Sequence, residues 1–193
     1  FLSMRAAIRA HVSASAAERQ ASPQASADKL VEARAYLAAA LQFLAPAPPR
    51  LIAIGGLSGT GKSTLASKLA PAIGRPPGAR WLRTDVLRKR LEEAAPEEKL
   101  PASAYTPEKN QAIYRELDRQ TKAVLAAGQS IVVDGVFASE AERVAIAAIA
   151  GEQGCPFIGI WLEAPTDVLV ERVDTRTGDA SDADSAVVAR QLE

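Results

Sequence analysis

The amino-acid sequence predicts an α/β domain with a central parallel sheet, preceded by helices. From residue 51 onward, short apolar runs alternate with segments of helical spacing, a pattern typical of parallel strands joined by helices. The first apolar run, LIAIGG, ends in glycines and leads directly into a helical segment. Residues 1–44 show only helical patterns, and the proline cluster APAPPR at 45–50 separates them from the rest.

The N-terminal part predicts two amphipathic helices, over residues 1–20 and 27–44. Ser22-Pro23 is expected to break the chain between them, and Asp28 is a candidate first-turn acid or cap of the second helix. We therefore expect a helix at 1–20, a helical connector with a proline-rich linker at 21–49, and the main domain at 50–193.

Within the main domain the predicted strands and helices alternate. The strands are expected at 51–56, 78–85, 130–137 and 156–164. The helices are expected at 63–73, 86–93, 108–128, 139–154, 165–176 and 185–193. A proline-punctuated excursion covers 92–107, and the polar loop TGDASDAD covers 177–184. Ser139 and Glu142 predict a capping box.

The composition argues against several classes of protein. With 23 basic and 23 acidic residues the net charge is zero, which argues against a protein that coats nucleic acid or an anionic membrane. No apolar run reaches the roughly 20 residues that span a bilayer. One cysteine and one histidine exclude an internal disulfide framework and a histidine-rich metal site. We expect a cytoplasmic protein, and the start at Phe1 suggests a piece of a longer chain.

The segment GLSGTGKS at 56–63 matches the Walker A pattern G-x-x-x-x-G-K-[ST] at every fixed position. Its glycines let consecutive backbone N–H groups face one anion, and the following helix adds its positive dipole end. We expect Lys62 to bridge the β- and γ-phosphates of ATP and Ser63 to ligate Mg²⁺. The alternative is a glycine-rich turn with a surface lysine. The predicted nucleotide-binding residues are Gly56, Leu57, Ser58, Gly59, Thr60, Gly61, Lys62, Ser63 and Thr64.

Two carboxylates follow predicted strands, where ligands of open α/β sheets bind. Asp85 can take a proton from an acceptor hydroxyl, with Arg88 one turn later to orient Asp85 or the acceptor. Alternatively, Asp85 only caps the next helix. Asp134 follows Ile131-Val132-Val133 and can hold Mg²⁺, or it is a turn residue before Gly135. The sequence leaves open which of the two carboxylates is the base and which is nearer the metal.

Arg172 and Arg176 are four residues apart on one predicted helix and lead into the polar loop. Arginines on such a lid can neutralise a phosphoryl group during transfer. The alternative is that they form surface ion pairs.

Four segments in order, GLSGTGKST, TDVLRKR, SIVVDGVF and ERVDTRTGDASDAD, make residues 50–190 resemble the P-loop small-molecule kinases. That group includes gluconate kinase, chloramphenicol phosphotransferase, the zeta toxins and the kinase half of polynucleotide kinase. The chain resembles more closely the C-terminal ATP-binding domain of bifunctional aminoglycoside phosphotransferase/ATP-binding proteins.

This resemblance implies a P-loop NTPase-type three-layer sandwich with sheet order 2-3-1-4-5. Only four of these five strands are predicted in residues 50–193. The resemblance also implies a preceding phosphotransferase-like domain, of which residues 1–20 would be the last helix. Together the residues and the resemblance predict ATP- and Mg²⁺-dependent phosphoryl transfer to a small-molecule hydroxyl. The alternatives are a kinase for polynucleotide 5′-hydroxyl ends and a regulatory module that binds ATP without transferring phosphate.

Overall fold

The computed structural model describes residues 1–45, 47–175 and 179–192, in two units, Phe1–Ala47 and Pro48–Glu193. The first unit is a helical hairpin of α1 (Leu2–Ala17) and α2 (Pro23–Leu44). The Ser3 hydroxyl donates to the Ala40 carbonyl at 3.0 Å, so the two helices run antiparallel. Small side chains fill their interface: Ala6, Ser13, Ala17, Ala33 and Ala40.

The predicted break between the helices is confirmed and includes Ser22, but the prediction that the second helix starts at residue 27 is wrong, since it begins at Pro23. The Ser22 side chain caps α2 by accepting a hydrogen bond from the Ala25 N–H at 3.2 Å. Pro23 is the first helical residue, because its fixed φ and missing N–H suit the first turn of a helix. Asp28 instead accepts a hydrogen bond from the Gln24 side chain.

The second unit contains four strands and six α-helices among the described residues. The strands are β1 (Leu51–Gly56), β2 (Arg80–Arg83), β3 (Ile131–Asp134) and β4 (Phe157–Leu162). The helices are α3 (Lys62–Leu69), α4 (Thr84–Leu91), α5 (Pro107–Ala126), α6 (Glu140–Glu152), α7 (Thr166–Asp174) and α8 (Ser185–Leu192). Short 3₁₀ turns cover Ala70–Ala72 and Ala102–Tyr105.

All strand pairs are parallel, and the sheet order is β2-β3-β1-β4. The predicted order is therefore confirmed for its first four strands, and within 1–45, 47–175 and 179–192 no fifth strand is present. Asp134 at the end of β3 is in register with Ile54 on one side and Arg83 on the other. The carboxyl ends of β1, β3 and β2 thus meet at one edge of the sheet.

Helices cover both faces of this sheet, which confirms the three layers. Because side chains alternate along a strand, Leu51 and Ala53 of β1 face one way and Ile52 and Ile54 the other. The first pair packs in the cluster that contains Leu117 of α5 and residues of α6. The second pair packs against α3. None of the helices in the described part of the chain is long and apolar enough to cross a membrane.

The second predicted strand and the helix after it have different bounds from those expected. β2 ends at Arg83 and α4 begins at Thr84, whereas the strand was expected to reach residue 85. Asp85 therefore lies in the first turn of α4. The predicted capping box is confirmed: the Ser139 hydroxyl and the Glu142 carboxylate each accept from the other residue's backbone N–H.

Candidate active site

The Walker A segment forms the loop between β1 and α3, and α3 begins at Lys62. Gly56 and Gly59 have φ angles of +136° and +86°, which residues with side chains rarely adopt. A Cβ atom on Gly59 would also lie 2.7 Å from the carbonyl oxygen of Leu169. The loop is therefore closed on its outer side by the backbone of α7, and these two positions require glycine.

Lys62 lies over this loop, where its Nζ donates to the carbonyl oxygen of Leu57 at 2.8 Å. The Thr60 hydroxyl donates to the same oxygen at 2.7 Å. Thr64, in the first turn of α3, is exposed. The ammonium group of Lys62 thus lies where it can exchange a neutral carbonyl for phosphate oxygens.

Two later helices contact the loop. The exposed Arg172 of α7 donates to the Gly59 carbonyl at 3.2 Å. Gln191 of α8 accepts from the Ser58 N–H at 2.9 Å. Arg172 therefore lies beside the loop, as its predicted role requires, whereas Arg176 is outside the described residues. The contact with Gln191 was missed, because nothing in the sequence links residues so far apart.

Ser63 and Asp134 are joined directly. The Ser63 hydroxyl, in the first turn of α3, donates to Oδ2 of Asp134 at 2.6 Å. Asp134 is 3% exposed, and this burial raises the pKa of its carboxyl group. The hydrogen bond from Ser63 and the positive charges of Lys62 and Arg83 oppose that rise. The structure thus brings together the two residues that the sequence assigned to Mg²⁺.

This donor set fits the metal. Mg²⁺ prefers oxygen ligands and is usually held by one or two protein oxygens together with substrate phosphates. A hydroxyl and a carboxylate beside the loop provide such ligands. The described ranges contain no group of three His, Cys, Asp or Glu residues that would form an all-protein metal cage.

Asp85 is half-buried at the start of α4. Its side chain makes no hydrogen bond or ion pair within the described parts of the chain. Its charge still acts on Asp134, since it contributes to raising the pKa of that carboxyl group. The carboxylate of Asp85 is therefore near the carboxylate of Asp134, and α4 has no side-chain cap among the described residues.

Arg88 is buried, and its side chain forms hydrogen bonds with residues other than Asp85. Its guanidinium donates to the Ala104 carbonyl and to Oδ1 of Asn110, both at 2.7 Å. It also lies over the ring of Tyr105, 4.6 Å from the ring centre. In this structure Arg88 fastens the 3₁₀ turn and α5 to α4, and the predicted contact with Asp85 is not among its hydrogen bonds.

Sequence reasoning missed two features near the site. Arg83 lies between carboxylates, with Nε 3.7 Å from Oδ2 of Asp134 and a terminal nitrogen 2.7 Å from Oδ1 of Asp179. The Tyr114 hydroxyl accepts from the Phe137 N–H at 2.9 Å, which holds the turn after Asp134. In the sequence, only charge indicates the pairing of Arg83: residues 83–90 form a basic run, and residues 179–184, DASDAD, form an acidic loop.

A buried ion pair fastens that acidic loop to α4. Lys89 is 2% exposed and lies 2.7 Å from Oδ1 of Asp182. The Tyr105 hydroxyl and the Leu100 N–H donate to the other oxygen of Asp182, at 2.6 and 3.0 Å. Burial alone would raise the pKa of Asp182, but the bonds from Lys89, Tyr105 and Leu100 lower it overall.

Comparison with known proteins gives the family. The model of the AAA domain family (AAA_33) matches residues 51–193. "Uncharacterized protein Rv2004c" of Mycobacterium tuberculosis is 31% identical over an alignment of 193 residues. The alignment covers 98% of this chain and 37% of that protein. The adenylyl-sulfate kinase of Myxococcus xanthus is 26% identical over 117 residues, 61% of this chain and 59% of that enzyme. The chain thus spans little more than a third of its mycobacterial relative.

Solved structures show the same fold. A sugar kinase from Janibacter has a TM-score of 0.54 at 22% identity and covers 75% of this chain and 76% of its own. A gluconokinase from Sinorhizobium meliloti has a TM-score of 0.51 at 23% identity, covering 75% and 73%. The Pnkp1/Rnl/Hen1 RNA repair complex contains a chain with a TM-score of 0.55 at 18% identity, covering 75% and 43%. The chain belongs to the AAA domain family and has the fold of the P-loop kinases.

Proposed function

We propose that this chain transfers the γ-phosphoryl group of ATP to a hydroxyl group of a small molecule. The observation that carries the proposal is the 2.6 Å hydrogen bond between Ser63 and Asp134. It joins the phosphate-binding loop to the carboxyl end of the neighbouring strand, one strand away from Asp85, whose carboxylate has no hydrogen-bond partner among the described residues. Nucleotide, metal and base positions therefore lie at one edge of the sheet, where α/β domains bind their ligands.

In this proposal Ser63 and Asp134 hold Mg²⁺, and the loop from Gly56 to Thr64 holds the triphosphate. Bound Mg²⁺ neutralises charge on the phosphate oxygens. Lys62 leaves the Leu57 carbonyl for the β- and γ-phosphates. Arg172, already beside Gly59, adds a second positive charge from α7, and the same role for Arg176 stays a prediction.

The assignment of the base follows from burial and partners. Asp134 is almost fully buried and engaged by Ser63, so an acceptor has little access to it. Asp85 is half-buried and has no hydrogen-bond partner within the described ranges, so it can contact an incoming hydroxyl. A base must reach the proton that it removes. We therefore assign the base to Asp85 and the metal position to Asp134.

The acceptor oxygen forms a bond to the γ-phosphorus, and the bond from that phosphorus to the bridging oxygen breaks. The electron pair of the broken bond leaves with ADP, and the hydroxyl proton moves to the carboxylate of Asp85. Catalysis consists mainly of positioning and charge neutralisation.

The basic run supports a small acceptor rather than a polynucleotide. A nucleic-acid surface needs exposed cations that can pair with phosphates. Arg88 and Lys89 are buried and paired within the protein, and Arg83 is engaged with Asp179. Arg90 is the exposed member of the run. The basic run therefore offers little of the surface that the polynucleotide alternative needs.

A screen of hydroxyl-bearing metabolites for ATP-dependent phosphorylation tests the proposal. The intact protein is incubated with Mg·ATP and each metabolite, and products are detected by mass spectrometry. Lys62→Ala is the matched control, because it removes the phosphate-binding ammonium at a part-exposed position. A product formed by the intact protein and absent with the variant is expected. Mg·ATP binding without any product would favour the regulatory module instead.

We also propose that residues 1–47 pack against a phosphotransferase-like domain of a longer chain. The support is the number of large apolar side chains that α1 and α2 leave exposed, more than a small hairpin retains in water. These side chains are Leu2, Met4, Ile8, Val12, Leu30, Val31, Leu37, Leu41 and Leu44.

Thiol labelling tests this packing in a Cys155→Ala background. Ile8→Cys should react slowly in the full-length protein and rapidly in residues 1–193. Gly151→Cys, on an exposed turn of α6 with open space around its Cβ, is the control for general reactivity. Equal reaction rates of Ile8→Cys in both proteins would contradict the packing.

A further inference from the structure

The guanidinium of Arg83 lies between two carboxylates of different parts of the fold. A terminal nitrogen donates to Asp179 at 2.7 Å. The Nε atom is buried, has no hydrogen-bond acceptor within the described residues, and lies 3.7 Å from Oδ2 of Asp134. That distance allows attraction between the charges but exceeds a hydrogen bond. Arg83 is thus held firmly by Asp179 and loosely by Asp134.

Asp179 belongs to a segment, the acidic loop 179–184, that docks through its charges. Asp182 pairs with buried Lys89, whereas Asp184 lies 4.0 Å from exposed Lys99, an ion pair at the limit of distance that contributes little to docking. The acidic loop connects α7, which contacts the phosphate-binding loop, to α8, which supplies Gln191 to Ser58. Docking of the acidic loop therefore affects both helices that cover the nucleotide position.

We propose that Arg83 is a positioning residue that couples Mg²⁺·nucleotide binding to docking of the acidic loop. The proposal rests on the proposed function, since it takes Asp134 as the metal position. Arg83 acts through Asp134 and Asp179 and does not itself contact the reacting atoms.

The sign of the coupling follows from charge. An arginine beside a metal position repels the cation, and a docked Asp179 neutralises that arginine. Mg²⁺ bound to Asp134 would in turn replace Arg83 as the counter-charge of that carboxylate. The weak attraction between Arg83 and Asp134 across 3.7 Å would then be lost, and the guanidinium would pair with Asp179 alone. Each event therefore favours the other, and a coupling between two sites is reciprocal. The acidic loop should dock more firmly with Mg·nucleotide, and an undocked loop should weaken Mg·nucleotide binding.

Affinity for a non-hydrolysable ATP analogue, measured by calorimetry with Mg²⁺ and with EDTA, tests the coupling. Asp179→Asn should weaken binding with Mg²⁺ about fivefold or more, within the usual range of coupling between sites. Without metal the loss should be clearly smaller, because repulsion of the cation, its main cause, is then absent. Asp184→Asn is the matched control: it removes the same charge from the same loop and should bind like the wild type.

A second pair of variants separates coupling from structural damage. In an Arg83→Gln background, Asp179→Asn should have little further effect on Mg·analogue affinity. In an Arg83→Lys background, which keeps the positive charge, Asp179→Asn should still cause part of the loss in affinity. Hydrogen exchange in the wild type should show the acidic loop more protected with Mg·analogue than with the analogue alone.

The outcomes distinguish the two proposals. A wild type that does not bind the Mg·analogue would overturn the proposed function. A wild type that binds it, but with equal affinities for Asp179→Asn and Asp184→Asn, would overturn the role of Arg83 alone. That role would also be overturned if Asp179→Asn lowered the analogue affinity equally with and without Mg²⁺. The same holds if hydrogen exchange of the acidic loop were unchanged by the metal.

Discussion

Replacing Asp85 with asparagine removes the proposed base and keeps the size of the side chain. Proton transfer by a positioned carboxylate contributes about 10²- to 10⁴-fold to a rate, or about 3–5 kcal/mol of barrier. We therefore expect turnover to fall by that factor. Affinity for Mg·ATP should change less than about threefold, because Ser63, Asp134 and the phosphate-binding loop are untouched.

The stability cost should be small. Asp85 lies in the first turn of α4, where a negative charge interacts favourably with the helix dipole by about 0.3–1 kcal/mol. No hydrogen bond to its side chain within the described ranges is lost. The melting temperature should therefore drop by no more than about 4 °C, the shift expected from about 1 kcal/mol in a domain of this size.

ADP release in the presence of the acceptor measures turnover, and calorimetry measures Mg·ATP affinity. Asp118→Asn on α5 is the matched control, since it makes the same change at another half-buried position and should keep wild-type turnover. If Asp85→Asn turned over as fast as Asp118→Asn, Asp85 would not be the base. The metal-linked Asp134 would then be the next candidate.

Three further predictions concern the loop, the turn after β3 and the acidic loop. Lys62→Ala should abolish transfer while circular dichroism shows the fold retained, because the ammonium group is the proposed phosphate ligand and lies at a part-exposed position, where it donates to the Leu57 carbonyl. Tyr114→Phe should lower the free energy of unfolding by about 1–3 kcal/mol in urea titrations, since it leaves the Phe137 N–H without its acceptor. Asp182→Asn should cost stability at neutral pH, where the carboxylate is charged and paired with Lys89. The pKa of Asp182 lies below the ordinary 3.8, so this advantage over the variant should shrink as the pH falls below 3.8, as urea titrations at pH 7 and pH 3 would show.

Much of the nucleotide site can be predicted from the sequence. Gly56, Gly59 and Gly61 all have positive φ, so the spacing of the motif alone determines the shape of the loop. The position of Asp134 follows from the end of an apolar run, because the carboxyl end of a strand is a property of chain direction. The sheet order came from the resemblance to P-loop kinases, and the structure confirms it for four strands.

Some local predictions failed for local reasons. Ser22 and Pro23 are signals both for a break and for a helix start, and the sequence pattern alone did not decide between them. Asp85 was placed at a strand end, but the helix begins at Thr84, since strand and helix boundaries depend on contacts with neighbouring elements. In the basic run 83–90, the charge pattern alone does not tell which side chains are buried, and the structure buries Arg88 and Lys89.

The sequence by itself determined the phosphate-binding loop with its strand and helix, and it left Asp134 as one of two candidate carboxylates for the position beside Ser63. These depend on backbone conformations and chain direction, which short stretches of residues specify. Only the tertiary structure paired Arg83 with Asp179 and Lys89 with Asp182, across separations of 96 and 93 residues. A charge pattern states that cations and anions are present, but which of them meet is decided by how α4 and the acidic loop pack together.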